Sequence, residues 1–157
     1  MKNNLKFAFL FICKYTGMFY LAKLFYKNRI RILCYHGFSL KNEEKFVPGL
    51  FVKPEIFDQR MRFLKEKNYP IITLEEAYQY AISDTIPENC VVITIDDGFY
   101  SVYDKALPIL QKYEFPCTLY LTSYYFDKNG LIFALFFSIS SAADLISAGK
   151  VCLCVCS

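Results

Sequence analysis

The 157-residue sequence has no tryptophan and a single histidine, His36. One histidine limits the metal chemistry the chain can perform with its own side chains, because catalytic zinc draws on three protein ligands. No apolar run reaches the ~18 residues without charge that a conventional transmembrane helix requires. Charged residues make up only 21% of the chain against 55% hydrophobic and 18% aromatic, which excludes intrinsic disorder. The seven cysteines are odd in number and lack disulfide-framework spacing, which favours a reduced, cytoplasmic-type compartment. The length suits one domain better than two.

Acidic residues are missing altogether from residues 1–31, where Lys2, Lys6, Lys14, Lys23, Lys27, Arg29 and Arg31 give a local charge of +7. The other 11 basic residues face 15 acidic ones, so the net +3 joins a basic arm to an acidic body. An acidic body excludes a nucleic-acid partner, which needs a basic folded surface. Read as one helix, the arm groups Lys2, Lys6, Lys23 and Lys27 in a sector about 100° wide. Most remaining positions are aromatic or aliphatic, a pattern that suits a helix lying in an anionic membrane interface through residues 1–28. The plainer alternative is a helix packed on the body with its lysines in water. A cleaved signal peptide fits less well, because Lys14 follows the short apolar stretch and no small-residue cleavage site does.

Charge is scarce again from Leu131 to Ser157, where only Asp144 and Lys150 carry any. Cys152, Cys154 and Cys156 alternate with apolar residues, a spacing tighter than zinc sites use. An apolar terminal strand is one reading of this segment; an aberrant coding end of a truncated product is the other. The expected division is therefore an arm at 1–30, a body at 31–130 and an atypical tail at 131–157.

The body alternates strands and helices. Ile30–Tyr35 reads as a strand, then Pro54 opens a helix whose Phe57, Met61 and Leu64 recur on one face, with Asn68 as its stop. Ile71 and Ile72 predict a brief strand, and Thr73-Leu-Glu-Glu76 a capping box. The run from Cys90 to Ile95 predicts the most buried strand, and 101–113 a helix that Pro108 bends or limits to a loose first half. Cys117–Leu121 supplies another strand, so the order argues for a parallel α/β sheet. Cys34, Cys90 and Cys117 fall in these strands, where free cysteine behaves as a small buried hydrophobe.

The carboxyl ends of parallel strands are where such sheets place reactive groups. Asp96 and Asp97 leave one strand there with Gly98 behind them, and His36 leaves another beside Gly37. Consecutive residues leaving a strand point in different directions, so one carboxylate can bind a cation while the other accepts a proton from water. Asp-Asp-Gly is also ordinary turn chemistry, and a lone histidine is often structural.

Together these residues resemble the N-terminal half of the polysaccharide deacetylase (NodB homology) family. Leu33-Cys-Tyr-His36, Pro54-Glu-Ile-Phe57 with Met61 and Phe63-Leu-Lys65, and Ile71-Ile-Thr-Leu74 follow its pattern in order. Val92-Ile-Thr-Ile-Asp-Asp-Gly-Phe99 resembles its Asp-Asp-Gly motif, and Ala106-Leu-Pro-Ile-Leu110 and Phe115-Pro-Cys-Thr-Leu-Tyr120 extend the match over roughly residues 30–130. The resemblance implies a distorted (β/α) barrel, here partial, with mainly parallel strands behind an amphipathic N-terminal helix. It implies metal-dependent removal of acetyl groups from a polysaccharide or oligosaccharide, with zinc or a similar divalent metal. Asp96 would be the general base, Asp97 a metal ligand and His36 the general acid.

The resemblance stops short of the family's later His-x-x-x-His metal motif, since no histidine follows His36. A half-barrel would also expose unpaired edges that favour association. The chain is therefore expected to be a deacetylase-like hydrolase that is truncated and inactive alone. The competing expectation is a membrane-associated, non-catalytic α/β module that binds glycan or a protein partner.

Overall fold

In a computed structural model the chain is described over residues 2–122 and 151–156. Two helices form the arm, α1 (Lys2–Tyr15) and α2 (Met18–Phe25). They meet at a 76° bend, and no single helix among the described residues is long and apolar enough to cross a membrane. The single-helix expectation is thus corrected, and Gly17 supplies the reason. It sits at φ 75°, a left-handed conformation that ends α1, so no one wheel relates Lys2 to Lys27.

The body begins with β1 (Arg31–Tyr35) and continues through β2 (Gly37–Phe38), α3 (Glu43–Phe46) and β3 (Phe51–Val52). It then runs through α4 (Pro54–Glu66), α5 (Leu74–Ser83), β4 (Val91–Ile95), a π-helical segment (Val102–Ala106), α6 (Leu107–Tyr113) and β5 (Cys117–Thr122). With β6 (Val151–Cys156), the main sheet has the order β1-β4-β5-β6, every neighbouring pair parallel. This is the α/β architecture with mainly parallel strands expected of a partial barrel. The atypical tail beyond Leu131 lies outside the described residues apart from the backbone of β6.

Side-chain alternation separates the sheet's two faces. Tyr35 of β1, Val91, Ile93 and Ile95 of β4, and Cys117 and Leu119 of β5 join one core. Phe57, Met61 and Leu64 of α4 cover it together with Leu107, Leu110 and Tyr113 of α6. On the opposite face Ala77 of α5 and Ile72 pack over Cys90 and Val92, near the amino end of β4. Thr94 and Thr118 on the same face are also buried, whereas Ile32 and Cys34 of the edge strand β1 are exposed.

Local chemistry explains the boundaries. Pro54 occupies the first turn of α4, and Asn68 at φ 53° turns the chain after it. The Thr73 hydroxyl accepts from the Glu76 amide at 3.1 Å while the Glu76 carboxylate accepts from the Thr73 amide at 2.7 Å. Two strand and helix expectations need correction. Ile71 makes only an isolated bridge to Val91 rather than a strand, because Pro70 before it has no amide to donate. The expected helix over 101–113 is divided: the Leu107 amide reaches back five residues to the Val102 carbonyl, a π turn, before α6 begins around Pro108. The wider turn takes up the backbone where proline cannot donate.

Candidate active site

The parallel register pairs Cys34 with Thr94 and Tyr35 with Ile95, so His36 and Asp96 emerge side by side beyond the paired strands. The Asp96 amide donates to the Tyr35 carbonyl at 2.8 Å, tying the two exits together. His36 Nε2 lies 3.7 Å from Asp96 Oδ2, with side-chain exposures of 37% and 33%. The two expected acid–base residues are therefore brought together. Asp97 diverges from them: it is exposed, at φ 68°, and followed by Gly98 at φ 66°. Gly98 suits this tight exit because its left-handed φ strains any L side chain and an added Cβ would also press on the tip of Leu121.

Cys34 joins the pair. Its Sγ donates to Asp96 Oδ2 at 3.2 Å, and Cys34, His36 and Asp96 offer donor atoms that all lie within 4.8 Å of one another. The expectation of a buried cysteine holds for Cys90 and Cys117 but is corrected for Cys34, which is exposed. The signal was present in the sequence: Cys34 stands two residues before His36, and period two places both on one face of β1. Loss of water around the thiol, then the hydrogen bond from Cys34 to Asp96, push the Cys34 thiol above its ordinary 9.0. At Cys117 burial alone pushes the thiol up to about 12.

Beside His36 a cavity of about 420 Å³ is lined by Cys34, Glu44, Phe51, Lys53 and Arg60 among others. The short β2–β3 pair forms its wall: the Ser39 amide donates to the Val52 carbonyl, and the Gly37 amide to the Leu50 carbonyl. Gly37 is needed there because a Cβ would strike the Phe51 ring. Neither strand was expected from the sequence, since two residues each give no periodicity to read.

The donor chemistry does not fit the ligand set that the family resemblance implies. Asp97 is its only carried-over ligand, it stands apart from the donor cluster, and His36 is the chain's one histidine.

Residues 83–147 match the sequence model of the family described as polysaccharide deacetylase. The matched stretch runs past Leu131 into the low-charge segment. The chain is 34% identical over 94 residues to YxkH of Bacillus subtilis (strain 168), whose name carries the words polysaccharide deacetylase; this is 59% of the chain and 32% of the relative. It is 31% identical over 83 residues to the poly-beta-1,6-N-acetyl-D-glucosamine N-deacetylase of Staphylococcus epidermidis, 53% of the chain and 29% of the relative. The chain thus spans about a third of the length of these curated relatives. Among solved structures, the Streptococcus pyogenes deacetylase PplD superposes with a TM-score of 0.63 at 24% identity, covering 79% of this chain and 54% of that one. IcaB from Ammonifex degensii gives 0.59 at 19% identity, covering 80% and 52%. These likenesses establish the fold as that of the deacetylase domain. By its ordered motifs, the match over residues 83–147 and its fold, the chain is similar to part of the polysaccharide deacetylases.

Proposed function

We propose that this chain carries the acid–base half of a deacetylase-type hydrolase acting on an acetylated glycan. The observation that carries the reading is the approach of His36 to within 3.7 Å of Asp96 at the carboxyl ends of two parallel strands. In this reading the Asp96 carboxylate takes the proton of the attacking water, and His36 protonates the departing sugar amine or hydroxyl. The cavity beside His36 suits a sugar: Phe51 offers a ring face, and Glu44, Lys53 and Arg60 offer hydrogen-bonding groups. Asp97 is the one residue carried over as a metal ligand. With no histidine pair to complete that set, the 157 residues alone do not turn over substrate.

The test uses the full chain with an N-acetylated chito-oligosaccharide. Saturable binding, weakened at least about tenfold by His36→Ala and by Asp96→Asn, together with no acetate release, supports the reading. Binding indifferent to both substitutions defeats the site assignment. Acetate release lost in Asp96→Asn would overturn the claim of inactivity while keeping the reaction class.

A second reading, association with a membrane surface, is favoured by the arm. Phe7, Phe11, Tyr15, Phe19, Tyr20 and Phe25 are all more than half exposed, and Lys6, Lys14, Lys23 and Lys27 are exposed among them. Exposed aromatic and basic groups on one arm suit anionic headgroups over an acyl boundary. In this reading the arm brings the body to the membrane surface. Flotation with anionic liposomes tests this: full-length protein should float and a Δ1–28 version should not, and equal recovery refutes it.

A further inference from the structure

Three donors of different chemistry converge at the open end of the sheet. Cys34 Sγ and His36 Nε2 stand 3.2 Å and 3.7 Å from the same oxygen, Asp96 Oδ2. All three atoms lie within 4.8 Å of one another. Tetrahedral zinc, at about 2.3 Å from sulfur and about 2.0–2.2 Å from nitrogen and oxygen, holds its ligands about 3.4–3.6 Å apart. The two measured distances bracket that range, and side-chain rotation of the exposed Cys34 and half-exposed His36 can close the third.

We infer that Cys34, His36 and Asp96 form a binding site for a borderline-soft divalent cation of the zinc class, built from the ends of β1 and β4 and independent of Asp97. The donor set selects the ion. A thiolate and an imidazole suit zinc or cobalt(II) and repel the all-oxygen preference of magnesium and calcium. A thiolate and a carboxylate together balance the charge of a dication. Partial exposure of His36 and Asp96 leaves the fourth position to water. The strands supply rigidity: Cys34 is in register with Thr94, and the Asp96 amide is held by the Tyr35 carbonyl. The inference does not rest on the deacetylase reading. A cation here would engage both His36 and Asp96, so occupancy and acid–base work at these residues exclude each other, and binding is read by itself.

The experiment titrates cobalt(II) into the full, metal-free chain under reducing conditions. One equivalent should give a near-ultraviolet thiolate-to-cobalt charge-transfer band with intense four-coordinate visible bands. Zinc should erase both, and magnesium and calcium should not. Cys34→Ser should abolish the charge-transfer band, and His36→Gln should weaken affinity at least about tenfold, since even outer-shell losses cost that much at metal sites. Both side chains are partly exposed, so far-ultraviolet dichroism should stay unchanged in each. Asp97→Asn, and a variant with Cys152, Cys154 and Cys156 all changed to Ser, should bind as the parent does. A band that survives Cys34→Ser, or that vanishes with Asp97→Asn or with the three tail substitutions, overturns the inference, as does the absence of binding in the parent chain.

Discussion

The two faces of the β1–β4–β5 sheet meet different surroundings. On one, Ile93, Ile95 and Leu119 are sealed beneath Phe57 and Met61 of α4 and Leu110 of α6, all at 2% exposure or less. On the other, Cys90 and, in β4, Val92 and Thr94 are buried too, but the edge strand β1 leaves Ile32 57% exposed, and Cys34, His36 and Asp96 gather at the carboxyl end. The same sheet thus carries a dry face that supplies stability and, along β1, an open part of the second face that presents donors. The hydrophobic driving force acts on the first, and water access makes titratable chemistry possible on the second.

The largest expected effect tests the sealed face. Phe57 is fully buried against Tyr35 and Phe38, at centroid distances of 4.9 and 4.8 Å. Phe57→Ala should cost about 3–5 kcal/mol in urea unfolding, the range for deleting a buried aromatic. A loss near zero would mean that this face is not the core. Next comes the boundary between the faces, at the Gly98 turn. Gly98→Ala forces a left-handed φ on alanine and a collision with Leu121, and should cost about 1–3 kcal/mol while shifting Asp97.

How much of this was legible follows the physics of each element. Phe57, Met61 and Leu64 announced themselves by helical spacing, and Thr73 with Glu76 by capping chemistry, because both are local rules. β4 was legible as an apolar run ending in Asp-Asp-Gly. The bend at Gly17 was missed because a wheel counts side chains and ignores a single left-handed residue. Pro108 announces a loosened first half of the helix, but not its π form, because proline signals a disruption without saying how the backbone absorbs it. Cys34 was mistaken for core because composition ranks cysteine with the hydrophobes, while the period-two link to His36 points the other way. Its convergence with Asp96 depends on register between strands some 60 residues apart, which no local pattern encodes.

Smaller effects sharpen the contrast. Thr73→Ala removes one half of the capping box over α5 and should cost about 1 kcal/mol. Asp58 ties α4 to α6 by accepting from Arg62 and Lys112 at 2.8 Å and from Tyr113 at 3.0 Å. Those partners hold its carboxyl at about 2, below the ordinary 3.8. Because the folded carboxyl binds its proton less tightly than the unfolded one, its contribution is complete above pH 3.8 and is lost as pH falls through about 2. Asp58→Asn should therefore flatten the acid side of the stability profile in that window. An unchanged profile would show that the ion pairs are screened by solvent.

The smallest expected effect is the most discriminating. His36→Ala removes a side chain that is 37% exposed and whose described charged neighbour, Asp96, is itself 33% exposed. Little apolar area leaves the core, and water can rehydrate Asp96 at once. The change in unfolding free energy should stay within about 0.5 kcal/mol, the range for surface substitutions. Glycan binding and cobalt affinity should each fall at least about tenfold in the same variant. A stability loss comparable to that of Phe57→Ala would mean that His36 supports the fold, and the division of labour between the two faces would fail. Preserved stability with both binding readouts unchanged would leave the open face without a role for its histidine. Preserved stability with either readout lost locates function on the open face and separates it from what holds the sheet together.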